Sequence, residues 1–134
     1  MEDNNMELRP VGRVISPLKR REDCPSQGNE NAPPAEIEIF DEFADCLDGL
    51  EAGRDILILT WLHLSSRDRL KVHPRGNPEA PLKGVFATRS PNRPNPIGLH
   101  RAVLKEKEGR RLRVEPLEAL DGTPVIDIKP AINE

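Results

Sequence analysis

The chain has 134 residues and a formal net charge of −3, with 14 prolines, nine glycines and no tyrosine. This length suits one domain with its own core, and the proline content argues against a helical bundle. No stretch has the apolar length of a membrane span, and the acidic start lacks the basic and apolar regions of a signal peptide. We therefore expect a single cytoplasmic domain over residues 1–134.

Charge is divided sharply along the sequence. Residues 1–66 sum to −8, residues 67–113 to +9 and residues 114–134 to −4. The basic middle third favours an electropositive face that attracts a polyanion such as RNA. The alternative is that the acidic ends fold back onto the basic part and neutralise it.

The first half of the chain predicts two strands and one short helix. Residues 11–16 indicate a strand, and the polar, proline-rich stretch 19–34 indicates a long loop, a type that is more often functional or mobile than idle. Residues 35–40 alternate acid and isoleucine, which is the period of a half-buried strand. Within residues 40–50, apolar side chains recur at helical spacing, with Asp41 placed as a cap.

The second half predicts further strands without β-α-β alternation. Residues 55–64 are the most apolar run and predict a central strand. Residues 83–88 predict a strand that enters a proline-rich loop. Residues 99–105 and 111–117 predict a hairpin, and residues 124–128 a last strand. About six strands and one short helix predict a mainly all-β fold, a single small antiparallel β-barrel.

The segment 84–99, GVFATRSPNRPNPIGL, carries two arginines and three prolines between apolar flanks. Each proline fixes a backbone dihedral and removes a donor, so binding costs this segment little conformational entropy. Arginine presents a planar fork that suits a carboxylate or a phosphate. We interpret the segment, called the signature loop below, as a preorganised anion site rather than a structural corner. Arg93, four residues after Arg89, either braces the loop or touches a substrate phosphate.

Two carboxylates near the end of the chain are candidates for acid or base chemistry. A turn role is the simpler explanation of Asp121, because Asp-Gly is a common turn pair. Asp127 alternates with Ile126 and Ile128 along the last predicted strand, so a solvent-facing position with Lys129 as surface partner is its alternative. The sequence identifies neither carboxylate as a general base.

The cysteines and histidines predict no metal site. Cys24 and Cys46 have neither C-x-x-C spacing nor a secretory context, so we expect two reduced thiols. His63, His73 and His100 form no ligand spacing with them.

The signature loop and the later segment DGTPVIDIKP, residues 121–130, resemble the two signature segments of the TsaA-like family of tRNA (adenine) methyltransferases. Weaker similarity extends over essentially the whole chain. The resemblance implies a β-barrel enzyme that uses S-adenosyl-L-methionine and forms a homodimer. It also implies that the substrate is tRNA, methylated on the exocyclic nitrogen of threonylcarbamoyladenosine beside the anticodon.

The same resemblance implies which residues contact the cofactor. Arg89 would hold the methionine carboxylate, the turn at Gly122 would allow close backbone approach, and His63 with Leu64 would wall the adenosine or the sulfonium. The complete set is Pro25, Ser26, Gln27, His63, Leu64, Arg89, Leu99, Asp121, Gly122, Thr123 and Pro124.

Catalytic and substrate-binding candidates follow from the chemistry of the acceptor. A ureido nitrogen is a poor nucleophile until it loses its proton, so Asp127 or Asp121 would assist as a base. Arg93, Asn95 and Arg75 are the candidates for contact with the substrate.

The chain departs from the family pattern in two places. Ser26 stands where the family commonly has a basic residue, and the chain ends at Glu134, whereas longer members continue into a region that helps engage tRNA. Two alternatives therefore stay open: a domain that binds the cofactor or RNA without methyl transfer, and a methyltransferase with another substrate.

Overall fold

Six antiparallel strands close into a barrel in the computed structural model, which describes residues 5–19 and 33–132. The barrel strands are β1 (Gly12–Ile15), β2 (Ala35–Ile39), β3 (Asp55–Trp61), β6 (Ile97–Glu108), β7 (Arg111–Glu115) and β8 (Pro124–Pro130). Their order around the barrel is β1, β2, β7, β6, β3, β8. Strands β4 (Lys71–Val72) and β5 (Lys83–Gly84) pair separately as a small sheet. The predicted small antiparallel barrel is confirmed.

Large aliphatic side chains fill the barrel interior. Alternate residues of each strand face inward, and Ile37, Ile56, Ile58, Leu104 and Leu112 are all 0% exposed. Burial of such side chains contributes roughly 1.5–3 kcal/mol each and is the main stabilisation of the fold. A six-stranded barrel packed in this way leaves no room for a ligand inside it. Any binding site must therefore lie on the outer surface or at an end.

The predicted short helix is present as a 3-10 helix, Asp41–Leu47, that is kinked at Phe43. Leu47 is buried in the core, and Phe43 and Leu50 pack against it, which explains the helical spacing of apolar residues. The expected capping role of Asp41 is wrong, because Asp41 lies inside the first turn and no side chain caps the helix. Instead, Lys107 Nζ donates to the Leu47 and Leu50 carbonyls at the other end.

Strand boundaries differ from expectation where prolines and turns intervene. The strand predicted over residues 83–88 is wrong beyond Gly84, since Val85–Ala87 form a 3-10 turn that the Thr88 hydroxyl closes on the Val85 carbonyl. The strand predicted over residues 55–64 ends at Trp61. Among the described residues, no helix has the length and apolar content needed to cross a membrane.

We predict that Gly12→Ala lowers the free energy of unfolding by about 2 kcal/mol, a typical cost of overpacking. An added Cβ at Gly12 would lie 2.5 Å from the backbone oxygen of Glu38 on the paired strand. Urea denaturation measures the change. Gly84→Ala is the matched control, because its nearest neighbour would be the Leu70 oxygen at 4.0 Å. Equal losses in both variants would contradict the close-approach explanation.

Candidate cofactor site

One end of the barrel, called the cofactor end below, brings together the predicted cofactor contacts that the structure describes. Strand β3 ends there and strands β6 and β8 begin there, because Trp61 pairs with Ile97 and Thr60 with Val125. His63 and Leu64 follow β3, Arg89 lies in the signature loop before β6, and residues 121–124 form the turn into β8. Pro25, Ser26 and Gln27 lie outside the described residues, as does Cys24.

Arg93 braces the signature loop from within. Its Nη2 donates to the carbonyls of Val85 and Thr88, the latter at 2.9 Å. The side chain is half-buried, and Nε is buried without a partner among the described residues. Of the two roles open from sequence, this geometry favours the brace over contact with a substrate phosphate.

The signature loop is also pinned to the chain that follows β3. Ser66 N–H donates to Asn92 Oδ1 at 2.9 Å, and Arg93 N–H donates to the Ser66 carbonyl at 3.1 Å. Arg67 Nε donates to the Pro94 carbonyl at 2.7 Å, and Arg67 Nη2 to Asn95 Oδ1 at 3.1 Å. These contacts fix the loop against the end of a barrel strand.

Sequence reasoning missed Arg67, although its signal was present. The guanidinium also lies over the Trp61 ring, 5.1 Å from the centroid. One side chain therefore contacts both the loop and the end of β3. Prolines withdraw donors and leave carbonyls free, so a proline-rich loop needs an outside donor. A nearby arginine with five donors is the natural candidate.

Arg89 is the signature-loop arginine whose charge is left available. It is exposed, and its side chain makes no hydrogen bond or ion pair within residues 5–19 and 33–132. Leu64 and Leu99 are exposed by 55% and 48%, which is high for leucine at the end of an apolar barrel. A guanidinium without a partner among the described residues, on a loop that enters the same end of the barrel as two exposed leucines, suits a ligand with a carboxylate and an apolar or aromatic part.

Asp121 ties the turn before β8 to the chain after β1. Its Oδ1 accepts from Ser16 N–H at 3.0 Å, and its Oδ2 lies 3.0 Å from Lys19 Nζ. The Ser16 hydrogen bond and the Lys19 ammonium hold the pKa of the Asp121 carboxyl below its usual range. Because a low pKa makes a weak base, the geometry favours the turn role of Asp121 over a catalytic one.

The same turn places a glycine where the backbone conformation favours it. Gly122 has φ of 86°, which favours glycine, and its N–H donates to the Val14 carbonyl. Thr123 is buried, and its hydroxyl donates to the Leu120 carbonyl at 2.7 Å. The turn is therefore held by a hydrogen bond to β1 and by another within the turn itself.

Asp127 lies on the outer face of the barrel, in register with Leu99. Leu59 pairs with Leu99 on one side and with Asp127 on the other, so the Asp127 and Leu99 backbones are roughly 10 Å apart, two strand spacings. Asp127 Oδ1 accepts from Ile128 N–H at 2.8 Å, and Oδ2 is 3.6 Å from Lys129 Nζ. The side chain is 51% exposed and thus accessible to a substrate.

Ion pairs neutralise only part of the basic third. Arginines on β6 and β7 each face an acidic side chain: Arg101 pairs with Asp55, Arg111 with Glu36 and Arg113 with Glu115. By contrast, Lys71, Lys83 and Arg89 form no ion pair within the part of the chain that the structure describes. Neutralisation by acidic side chains therefore applies to the barrel strands. Attraction of a polyanion stays a prediction for the region around β4, β5 and the signature loop.

The chain is similar to known proteins in both sequence and structure. A family model for the tRNA-methyltransferase O N-terminal domain matches residues 13–134. The chain belongs to the TrmO family. The resemblance to TsaA-like proteins is thereby confirmed.

Relatives within the TrmO family match almost all of this chain. A protein of Methanothermobacter thermautotrophicus, named a probable S-adenosyl-L-methionine-binding protein, is 52% identical over 97% of this chain and 93% of its own length. An S-adenosyl-L-methionine-binding protein of Archaeoglobus fulgidus is 52% identical over 92% of this chain and 88% of its own length. The crystal structure of TrmO from P. aeruginosa superposes with a TM-score of 0.77 at 30% identity, over 98% of this chain. This chain spans only 56% of that TrmO.

Some predicted residues lie apart from the cofactor end of this TrmO-family barrel. Arg75 is exposed in the 3-10 turn Pro74–Gly76, between β4 and β5. Within the described residues, no group of three or more His, Cys, Asp or Glu side chains could hold a metal ion. A cavity of about 290 Å³ lies between the 3-10 helix Asp41–Leu47 and β8 and borders Asp127, but neither Arg89 nor Leu99 lines it.

We predict that Asp121 makes the stability of the protein depend on acidic pH. Its folded-state pKa is lowered, so its contribution is complete above the ordinary aspartate pKa of about 3.9 and disappears as the pH falls through the lower folded value. The melting temperature of Asp121→Asn should therefore lie below that of the parent at pH 7 and approach it near pH 2. Thermal melts across this range test the expectation, with the exposed Asp45→Asn as control. Melting temperatures of the parent and Asp121→Asn that differ by the same amount at every pH would contradict it.

Proposed function

We propose that this protein is an S-adenosylmethionine-dependent methyltransferase acting on tRNA. We further propose that the acceptor is the exocyclic nitrogen of threonylcarbamoyladenosine beside the anticodon, and that the protein acts in the cytoplasm. Membership of the TrmO family supports this function. The observation that carries the proposal is the free guanidinium of Arg89 on a loop that two other arginines hold in place.

The residues present fit S-adenosylmethionine. Arg89 would bind the methionine carboxylate through a charge-assisted hydrogen bond. Leu64 and Leu99 would cover the adenosine, and the backbone of the turn at Gly122 would approach the ligand closely because glycine has no Cβ. His63, exposed beside Leu64, completes this wall.

Alignment is the main task left to the protein. When bound, S-adenosylmethionine supplies an activated methyl group on a sulfonium. The braced signature loop would hold Arg89 at a fixed place relative to Leu99, so the cofactor would be oriented at little entropic cost. Because the loop is already ordered by Arg67 and Arg93, no large closure is required of it.

We propose that Asp127 is the general base that removes the proton from the acceptor nitrogen. Its side chain is accessible and shares an outer face with Leu99, whereas the Asp121 carboxylate is occupied by Ser16 and Lys19. Removal of the ureido proton in the transition state would make that nitrogen a better nucleophile.

Unpaired cations near the site support a nucleic-acid substrate. Lys71, Lys83 and Arg89 offer charge to phosphates, and such contacts position a polynucleotide without reading its sequence. Asn95 and Arg75 remain our proposed substrate contacts in the same region. Arg93 is reassigned from the substrate to the loop.

A second copy of the chain would complete the site. The barrel interior is filled, so the cofactor must sit outside it, where Phe86 is 92% exposed, Leu99 48% and Ile97 39%. Apolar surface of this kind is typical of an interface. We propose a homodimer whose partner helps exclude water from the site.

A binding domain without methyl transfer is the second candidate. One observation favours it: relatives matched over nearly their whole length are named for S-adenosyl-L-methionine binding. Binding and turnover therefore need separate tests.

Arg89→Ala should raise the Kd for S-adenosylmethionine at least roughly tenfold, because a hydrogen bond to a charged group contributes about 1.5–3 kcal/mol. The Kd of Arg89→Lys should lie between those of the parent and Arg89→Ala, since lysine keeps the positive charge but lacks the planar guanidinium. Isothermal titration calorimetry measures both. Lys83→Ala, an exposed cation of the same region, is the control and should bind like the parent. A parent that does not bind S-adenosylmethionine would refute the methyltransferase and a domain that binds this cofactor.

Cells that express the protein should gain methylated threonylcarbamoyladenosine in their tRNA, detected by mass spectrometry of nucleosides. With purified tRNA, Asp127→Asn should lower kcat roughly 100-fold with KM little changed, because general bases contribute at least this factor. Binding without any methylated nucleoside would favour the binding-domain candidate. Equal turnover in the parent, Asp127→Asn and Asp121→Asn would remove carboxylate catalysis.

A further inference from the structure

Three polar side chains form a hydrogen-bonded chain at the cofactor end of the barrel. His100, which is 8% exposed, faces inward from β6. Its Nε2 lies 2.8 Å from Thr60 Oγ1 on β3, and its Nδ1 lies 3.0 Å from Glu118 Oε1 in the segment between β7 and β8. Thr60 is fully buried, and the Glu118 side chain is 25% exposed. Three separate parts of the chain are thus joined through one imidazole.

Elementary chemistry sets the direction of these hydrogen bonds. An ionised carboxylate only accepts, so Nδ1 carries a hydrogen toward Glu118. In the neutral ring Nε2 then accepts from the Thr60 hydroxyl. Every member has a partner, which is what makes a buried polar group tolerable in an apolar interior.

Gly98 of the signature loop leaves the space for this chain. An added Cβ at Gly98 would lie 2.5 Å from Thr60 Oγ1 and 2.9 Å from His100 Nε2. Any other residue at this position would push apart the Thr60–His100 pair. The glycine of the PIGL sequence is thus explained by the hydrogen bond beside it.

Each member of the chain stands next to a proposed cofactor contact. Thr60 precedes His63 by three residues, His100 follows Leu99 directly, and Glu118 precedes Asp121 by three. The hydrogen bonds therefore connect the end of β3, the start of β6 and the segment that leads into the turn before β8.

We propose that the Thr60–His100–Glu118 chain is the positioning device of the cofactor site, and that it sets the relative placement of the three cofactor-binding segments. This inference rests on the proposed function. Thr60 is fully buried and cannot reach a ligand, so its role is to position rather than to react. His100 and Glu118 act through the segments that carry them.

Paired substitutions test the positioning role. Thr60→Val and Glu118→Ala remove one hydrogen bond each and should raise the calorimetric Kd for S-adenosylmethionine about tenfold, the lower end for lost orienting partners. Thr60→Ser and Glu118→Gln keep a hydroxyl and an acceptor, so their Kd should stay within about threefold of the parent. Ile58→Val is the control, because Ile58 is also buried on β3 but takes no part in these hydrogen bonds. It should lower the melting temperature without raising the Kd.

Coupling provides a second readout. The Kd of the double variant Thr60→Val/Glu118→Ala should be close to that of whichever single variant binds S-adenosylmethionine more weakly. The reason is that Thr60 and Glu118 both act through His100. Folded Thr60→Val and Glu118→Ala proteins whose Kd stays within about twofold of the parent would overturn the inference, as would an equal rise in Ile58→Val. Glu118→Ala changes a partly exposed residue, so it serves where Thr60→Val does not fold. A parent that fails to bind refutes the proposed function, and this inference with it; a parent that binds alongside unaffected variants refutes the inference alone.

Discussion

Closure of the six-stranded barrel around a filled interior is the constraint on which the rest of the structure depends. Strand β3 pairs with β6 and β8, and the ring closes where β8 meets β1, so the barrel sheet has no unpaired edge. Isoleucine, leucine and valine occupy the inside. A binding site is therefore restricted to the loops and the outer face. Three antiparallel strands bring their connections to the cofactor end, which is why residues distant in sequence converge there.

A division of labour among arginines turns a proline-rich segment into a rigid wall. Prolines stiffen the backbone but remove donors, so the loop cannot hold itself by backbone hydrogen bonds alone. Arg93 supplies donors from inside the loop and Arg67 from outside. Arg89 donates to no partner within residues 5–19 and 33–132. Stiffness and anion affinity thus come from different side chains of the same type, a distinction that residue identity does not reveal.

Electrostatics follows a similar division. Acidic residues of β2 and β3 lie opposite arginines on β6 and β7, where the pairs are partly exposed and contribute little stability. Lys71 and Lys83, on β4 and β5, form no ion pair among the described residues. Within the described residues, the unpaired positive charge of Lys71, Lys83 and Arg89 therefore lies on and next to the signature loop. Its position beside the proposed cofactor site suits a polyanionic substrate.

Sequence alone determined the fold class, most strands and the segments that carry the candidate site, because strand periodicity, turn pairs and the two signature segments are local properties of the chain. Alternation along residues 35–39 and the apolar run from residue 55 are read directly from neighbours in sequence. The tertiary structure alone decided which side chains remain free. The roles of four residues depend on partners that are distant in sequence or lie in another element. Arg93 and Arg67 hold the signature loop. Asp121 is held by Ser16 and Lys19, and Gly98 leaves space for Thr60 and His100. Such pairings are set by barrel closure and register, which no local pattern specifies.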